Sequence, residues 1–290
     1  MTPKMALHRT AVAALAGLIA TAALTMSATA QDTLEQAREQ GYIRVGFANE
    51  APYGYATPAG ELTGEAPEIA KAVLKKMGIE EVDGVLTEFG SLIPGLQAGR
   101  FDMIAAGMFI TPKRCEQIAF SEPSYGIGQA FLVKEGNPKD LQTYEDIAAD
   151  SEATLGVMAG AIEKDYATKS GVPADQILTF PDGPSGLAAV QAGRVDAFAL
   201  TSLSIGDLVA KAGEGAGVER AEPFGMVAGE SVKGHGGFGF RKEDEALLAE
   251  FNKHLAEFIG SPEHLALVEP FGFTKAELPA KTTAELCAGE

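Results

Sequence analysis

The chain is short of positive charge, and this shortage bears on its partners. It carries 23 lysine and arginine residues against 40 aspartate and glutamate residues, so its net charge is −17. A chain this acidic is not attracted to phosphate backbones or to anionic membrane surfaces, and we expect no nucleic-acid partner. The negative charge suits the solubility of an exported protein and is compatible with a cationic ligand.

Cysteine and histidine are also scarce, which argues against metal and thiol chemistry. The chain has two cysteines, Cys115 and Cys287. A zinc site needs clustered ligands, and His235, His254 and His264 do not have such spacing. The sequence also lacks a nucleophile elbow and a P-loop glycine motif. We therefore expect no catalytic residue, no metal site and no cofactor.

The sequence contains a single long apolar run, and it lies at the N-terminus. Lys4 and Arg9 precede an apolar stretch at 11–24, and small residues follow up to Ala30. This order is typical of a cleavable signal peptide. A membrane anchor is the alternative, but a spanning helix needs about 20 apolar residues. We predict that residues 1–30 are a signal peptide cleaved after Ala30, so that the mature protein is periplasmic.

An internal repeat indicates how the remaining chain is organised. The sequence SLIPGLQAGRFDMIA at 91–105 returns as SGLAAVQAGRVDAFA at 185–199. Each copy has the pattern of a short helix ended by glycine, followed by an apolar strand. A further apolar strand precedes each copy, at 42–48 and at 153–159, with a helix between. Chance similarity in a chain rich in alanine and glycine is the alternative. The repeat predicts two α/β lobes with mainly parallel sheets.

Two linkers set the predicted lobe boundaries. An apolar strand ending in turn residues at 129–138 leaves the first lobe, and the glycine-rich segment 234–244 returns to it. We predict that the signal peptide at 1–30 is followed by the first part of lobe 1 at 31–133. Lobe 2 then occupies 134–235, and the return segment of lobe 1, with a C-terminal helix, occupies 236–290. Both cysteines then fall on lobe 1, where they form either a disulfide, which export permits, or two buried free thiols.

The carboxyl ends of parallel strands are where ligands bind in open sheets. This rule selects four segments, Asn49–Tyr55, Phe109–Arg114, Gly160–Glu163 and Thr201–Ser204. In the first segment, Glu50 could pair with a cation while the aromatic ring of Tyr53 covers it. The alternative is an ordinary loop with a solvated Glu50.

Arg114 is the candidate for binding an anion. Thr111 has the pattern of a helix N-cap, which puts Arg114 in the first helical turn, where the helix dipole favours anions. Arginine beside free N–H groups makes a carboxylate site. Pairing of Arg114 with Glu116 or Glu122 is the alternative. Phe89 is a further aromatic candidate that could instead belong to the core.

The segments YIRVGFANEAPYGY, SLIPGLQAGRFDMIAAGMFITPKRCEQIAFSEPSY, LGVMAGAIEKDYA and VQAGRVDAFAL resemble the periplasmic polar amino-acid-binding family of ABC importers, over essentially all of 40–275. The resemblance implies a type II periplasmic-binding-protein fold, with two α/β lobes joined by a two-strand hinge. It also implies a monomer whose lobes close on a small ligand and dock on an ABC permease in the inner membrane. In that family the arginine at the position of Arg114 binds the ligand's α-carboxylate, with Thr111 beside it.

The sequence departs from the family where the ligand's cation would lie. Thr201 stands where amino-acid binders have an aspartate for the α-ammonium, so Glu50 is the candidate for the cation. This combination is similar to members that bind ectoine and hydroxyectoine, cyclic zwitterions with a ring amidinium. The similarity implies a cage of Tyr53, Phe89 and Phe109, and second-lobe contacts from Ala161, Ile162 and Thr201.

Three other functions remain open at this point. A receptor for a conventional polar amino acid shares the fold and the arginine. A periplasmic dehydratase-like enzyme shares the sequence pattern and would need an acid/base pair facing the cleft, such as Glu50 with a second carboxylate. A receptor sensing domain is the third, and the absence of a membrane segment near Glu290 counts against it.

Overall fold

A computed structural model describes residues 32–289 of the protein, except 222–223, 225 and 228–229. The predicted signal peptide and its cleavage site lie outside the described residues. Residues 32–289 belong to one compact unit. Within the described part, none of the helices has the length and apolar character needed to cross a membrane.

Helices and strands alternate along the described chain. The α-helices α1 to α11 are Thr33–Gln40, Glu65–Lys76, Leu92–Gln97, Pro112–Cys115, Tyr144–Ala149, Glu163–Lys169, Gly183–Gln191, Ser202–Ala212, Glu245–Phe258, Pro262–Val268 and Thr283–Ala288. The strands β1 to β15 are Tyr42–Phe47, Tyr55–Ala56, Leu62–Thr63, Glu81–Leu86, Met103–Phe109, Ala119–Phe120, Tyr125–Ile127, Gln129–Lys134, Leu155–Met158, Ile177–Phe180, Ala197–Thr201, Val218–Arg220, Met226–Val227, Glu230–Ser231 and Gly234–Phe240. Short 3-10 turns lie at Phe89–Ser91, Ala174–Gln176, Glu269–Phe271 and Lys275–Glu277.

Two main sheets have the same strand order. The first runs β4-β1-β5-β15-β6, with β7 also paired to β15, and the second runs β10-β9-β11-β8-β12. In each sheet three parallel strands are followed by an antiparallel one, β15 in the first and β8 in the second. The mixed α/β fold is the one that the resemblance to periplasmic binding proteins implies, as predicted.

The sequence repeat has the same structural role in both sheets. Asp102 accepts a hydrogen bond from the backbone N–H of Arg44 at 3.2 Å, and Asp196 accepts one from the backbone N–H of Thr154 at 2.8 Å. Each repeated aspartate therefore ties the start of its own strand to the neighbouring parallel strand. The repeat is structural and not a chance similarity of composition.

The helix α2 shows why the sequence pattern gives this packing. Its buried apolar residues recur at helical spacing and belong to the core cluster beneath the first sheet, Ala66, Ile69, Ala70, Val73 and Leu74. They pack with Val45 of β1 and with Phe251 of α9 in that cluster. Burial of this apolar face stabilises the helix against the sheet.

The chain passes from the first sheet to the second between β7 and β8. It returns at β15, in the glycine-rich segment where the sequence predicts a crossing strand. Strand β8 pairs with β11 and β12 of the second sheet over its whole length. The numerical boundaries of the two lobes stay a prediction. What matters for function is that the four selected segments follow β1, β5, β9 and β11.

Candidate functional site

The four segments converge on a small cavity with charged and aromatic walls. Its volume is about 20 Å³. The four segments contribute Glu50, Phe109, Arg114, Ala161, Ile162, Glu163 and Thr201 to its lining. The other lining residues are Phe89, Gly107, Met158 and Leu200. Ligand pockets usually measure roughly 300–1,000 Å³. The space at the centre of the site is therefore much smaller than a usual ligand pocket.

Glu50 is buried and is linked to the second sheet by a chain of hydroxyl groups. Tyr53 donates to Thr201 Oγ1 at 2.9 Å, and Thr201 donates to Ser204 Oγ at 3.2 Å. Ser204 then donates to Glu50 Oε1 at 2.9 Å. Burial raises the pKa of Glu50 to about 7, while the bond from Ser204 and the charge of Arg114 lower it. Glu50 is 8% exposed, which excludes the solvated-loop alternative.

Arg114 spans the site from the first α/β half to the second. Its guanidinium donates to the backbone carbonyl of Phe109 at 2.8 Å and to that of Gly160 at 3.0 Å. These bonds, and not pairing with Glu116 or Glu122, hold the side chain. Burial lowers the pKa of Arg114. Neighbouring negative charges oppose this effect, and the charge of Glu163 opposes it most. A buried guanidinium whose side-chain hydrogen bonds, within the described residues, go to two neutral carbonyls is suited to receive a carboxylate.

Thr111 and Arg114 belong to the same short helix. Thr111 accepts a hydrogen bond from the backbone N–H of Arg114 at 3.4 Å, and Pro112 follows it as the first helical residue. The cap therefore lies where the sequence predicts it. Thr111 lines a larger outer cavity of about 420 Å³ that shares Arg114, Ala161 and Ile162 with the central one.

The three predicted cage aromatics occupy different positions. Phe89 and Phe109 border the central cavity, and the guanidinium carbon of Arg114 lies 5.6 Å from the centroid of the Phe89 ring. The ring of Tyr53 packs behind them, 5.0 Å from Tyr125 and 5.5 Å from Phe273 between centroids. In this closed arrangement Tyr53 presents its hydroxyl to Thr201 and its ring to the core.

Two glycines make room for these rings. Gly107 has a φ of +62°, and a Cβ there would lie 2.5 Å from the Tyr53 ring. A Cβ on Gly234 of β15 would overlap the Phe109 ring. The glycine-rich strand therefore serves close packing of the site aromatics.

Glu163 borders the central cavity and is not among the residues that the sequence singles out. It is the first residue of α6 and is 2% exposed. Burial raises its pKa to about 8, and the negative charge of Glu50 adds to this rise. Ser204 was missed in the same way. Both lie inside segments selected at strand ends, and their position there is the only sequence signal for them.

The disulfide joins the helix of the site to the end of the chain. Cys115 of α4 and Cys287 of α11 are bonded, with Cα atoms 5.7 Å apart and a separation of 172 positions in sequence. The alternative of two free thiols does not describe this structure. Within the described residues there is no cluster of three or more side chains able to hold a metal ion.

The sequence matches known proteins over most of its length. The bacterial extracellular solute-binding proteins, family 3, match residues 43–274. A probable amino-acid ABC transporter periplasmic-binding protein, y4tE of Sinorhizobium fredii, is 41% identical over 286 residues, which is 94% of each chain.

Two solved structures resemble the fold closely. The crystal structure of EhuB in complex with hydroxyectoine is 40% identical, with a TM-score of 0.82, and covers 90% of this chain and 100% of that one. The ancestral amino acid-binding protein AncCDT-1, a precursor of cyclohexadienyl dehydratase, is 29% identical, with a TM-score of 0.71 over 83% of this chain and 99% of that one.

Proposed function

The chain belongs to family 3 of the bacterial extracellular solute-binding proteins, and on that premise we propose that its cleft binds ectoine or hydroxyectoine. It is a solute-binding receptor of an ABC importer, and its relatives of this kind are periplasmic binding proteins that work with a permease. The ligand identity, the residues that bind it and the closing of two lobes around it are the proposed part.

The composition of the central cavity carries the proposal. Arg114 lies at one side and Glu50 at another, and Phe89 and Phe109 border the same space. The end of β11 offers the neutral Thr201, where an α-ammonium would need a carboxylate. A cyclic zwitterion places its carboxylate on Arg114, its ring nitrogens on Glu50 and its ring faces against the aromatic side chains. The 40% identical EhuB in complex with hydroxyectoine supports this choice.

A receptor for a polar amino acid is the second candidate. Glu163 is the observation that favours it, because this buried carboxylate comes from the second α/β half and could hold an α-ammonium. The 41% identical relative is described as a probable amino-acid binding protein. The two candidates differ in which ligand stabilises the protein.

A thermal-shift screen tests the proposal. Ectoine, hydroxyectoine, betaines and the twenty amino acids are compared at one concentration. A ligand at about 100 times its Kd adds roughly 2.7 kcal/mol to the free energy of unfolding. We expect a rise in Tm of several degrees with ectoine or hydroxyectoine, and little change with histidine, arginine or glutamine.

Two outcomes would contradict the proposal, one in this screen and one in a separate assay. A larger shift with a common α-amino acid would replace ectoine by that amino acid. Conversion of the bound ligand, followed by NMR of the ligand after incubation, would favour the enzyme alternative, since Glu50 and Glu163 supply two carboxyl groups in the cleft. We expect the ligand to be recovered unchanged.

A further inference from the structure

Glu163 has an unused acceptor at the centre of the site. The side-chain amide of Gln129, oriented by its hydrogen-bond network, donates to Glu163 Oε1 at 2.9 Å and to the carbonyl of Leu200 at 3.1 Å. Glu163 Oε2 is buried and has no hydrogen-bond partner in the described part of the chain. An unpaired buried polar atom is costly, so a side chain placed in this way is suited to a donor that arrives with the ligand.

Glu163 and Glu50 face the same space from different sheets. Both border the central cavity of about 20 Å³, Glu50 after β1 and Glu163 after β9. In a cavity of this size there is room for about one water molecule. Glu50, which also lines a neighbouring cavity of about 370 Å³, is 8% exposed, and Glu163 is 2% exposed. Water therefore solvates the two carboxylate charges poorly, and each charge affects the other.

The surroundings of the pair favour retention of a proton. Burial raises the pKa of Glu163 to about 8 and that of Glu50 to about 7. Arg114 is the positive group that faces both carboxyl groups, and it lowers the pKa of each. Four tyrosines also interact with one or both carboxyl groups, namely the buried Tyr53, Tyr125 and Tyr144 and the partly buried Tyr166. Burial raises their pKa values, so they stay neutral near pH 7.

We propose that Glu163 is a second carboxylate for the ligand's cation and that binding of the cation drives a proton off the Glu50–Glu163 pair. This inference rests on the proposed function, because it assigns the ring cation of ectoine to both carboxylates. A delocalised amidinium carries two N–H groups and can donate to both Glu50 and Glu163. The ligand class is thereby narrowed to cations with at least two N–H donors, which excludes quaternary ammonium solutes such as betaines.

The proposal predicts a sign for the pH dependence of affinity. Below about pH 7 the pair holds protons that the cation must displace, and above about pH 8 the carboxylates are already ionised. Binding that releases a proton tightens as pH rises. The Kd for ectoine should therefore fall by at least about tenfold between pH 6 and pH 9.

Calorimetric titration with ectoine, in buffers of different ionisation enthalpy at pH 7, measures the protons released per ligand bound. We expect measurable proton release by the wild-type protein. Glu163→Gln should release fewer protons and bind at least about tenfold more weakly. Glu163→Asp, which keeps the charge, should retain proton release.

Glu65→Gln is the matched control. Glu65 is equally buried, its pKa is raised to about 8 by burial and it also has an unpartnered Oε2, but it accepts from Ser124 and borders a different cavity. The control should keep both the affinity and the proton release of the wild type. Wild-type affinity and proton release in Glu163→Gln would overturn the inference and leave the ectoine proposal standing. Failure of the wild type to bind ectoine would overturn both.

Discussion

At the scale of the residue, the site depends on two opposite charges that the protein only partly neutralises. Arg114 is 9% exposed and its guanidinium bonds to two carbonyl groups, while Glu50 is 8% exposed and accepts from one hydroxyl. Because little water reaches either group, each is stabilised most by a charge that the ligand supplies. A zwitterion satisfies both at once.

Substitution of these two residues separates their roles. Arg114→Lys keeps the positive charge but loses the planar fork that meets a carboxylate with two parallel bonds, so we expect at least about tenfold weaker binding of ectoine. Glu50→Gln keeps the shape but removes the charge that compensates the ring cation. It should weaken binding as much or more. Calorimetric titration of each variant measures the change.

Exposed residues of the same types provide the controls for this pair. Arg100→Lys and Glu61→Gln change groups on the surface and should bind ectoine as the wild type does. Unchanged affinity in Glu50→Gln would mean that the cation is held elsewhere, with Glu163 as the remaining carboxylate at the cavity.

At the scale of the element, short helices place the site residues and other elements hold them there. Helix α4 has only four residues, and isolated helices of this length are not stable in water. It is fixed by the cap of Thr111 and by the disulfide to α11. Arg114 precedes Cys115, so the disulfide lies next to the residue proposed to bind the carboxylate.

The disulfide makes a testable contribution to stability. The oxidised protein, analysed by mass spectrometry without reductant, should give a peptide pair joined through Cys115 and Cys287. Replacement of both by serine should lower the free energy of unfolding by about 2–4 kcal/mol, because the bond closes a long loop in the unfolded chain. Denaturant unfolding of the variant and the wild type measures this difference. Two alkylatable thiols in the native, exported protein would contradict the prediction.

At the scale of the whole molecule, buried carboxyl groups couple stability to pH. Burial raises the pKa of Glu50, Glu65 and Glu163 from 4.5 to about 7, 8 and 8. A group whose pKa is higher in the folded state stabilises the fold below its unfolded pKa, and this contribution is lost as pH rises through the folded pKa. The three groups act in the same direction between pH 6 and pH 9.

The ligand-free protein should therefore melt at lower temperature as pH rises. We expect a loss of a few kcal/mol between pH 6 and pH 9, or about 5–10 °C in Tm. Calorimetric melting at several pH values measures it, and Glu65→Gln should flatten the curve without altering the ligand site. A Tm that does not fall over this range would show that the three carboxyl groups are already ionised in the folded protein at pH 6.

Hydrogen bonds between the site segments of the two sheets are the second property of the whole molecule. Three hydrogen bonds join segments that follow strands of different sheets. They run from Tyr53 to Thr201, from Ser204 to Glu50 and from Arg114 to Gly160. A central cavity of about 20 Å³ has to expand to admit a ligand. In the proposed opening and closing of the lobes, separation of the two sheets would break these bonds.

The sequence by itself determined the two sheets and the edge at which the site lies. Apolar strands and amphipathic helices recur with the repeat at 91–105 and 185–199, and the repeat's aspartates Asp102 and Asp196 make equivalent bonds. Glu50 and Arg114 lie in the segments that follow β1 and β5, so the rule for parallel sheets places them at the ligand edge. The strands and helices follow from the local spacing of apolar residues, and the position of the site follows from the order of the strands along the chain. Both can be seen in the sequence.

Only the tertiary structure decided which carboxyl groups are buried and what they face. Ser204 bonds to Glu50 across 154 positions of sequence, and Gln129 reaches Glu163 from another strand. Glu163 reads in sequence as an ordinary acidic residue in the first turn of a helix, a position that usually faces solvent. The environment of a charge depends on distant segments that exclude water from it, and no local pattern specifies them.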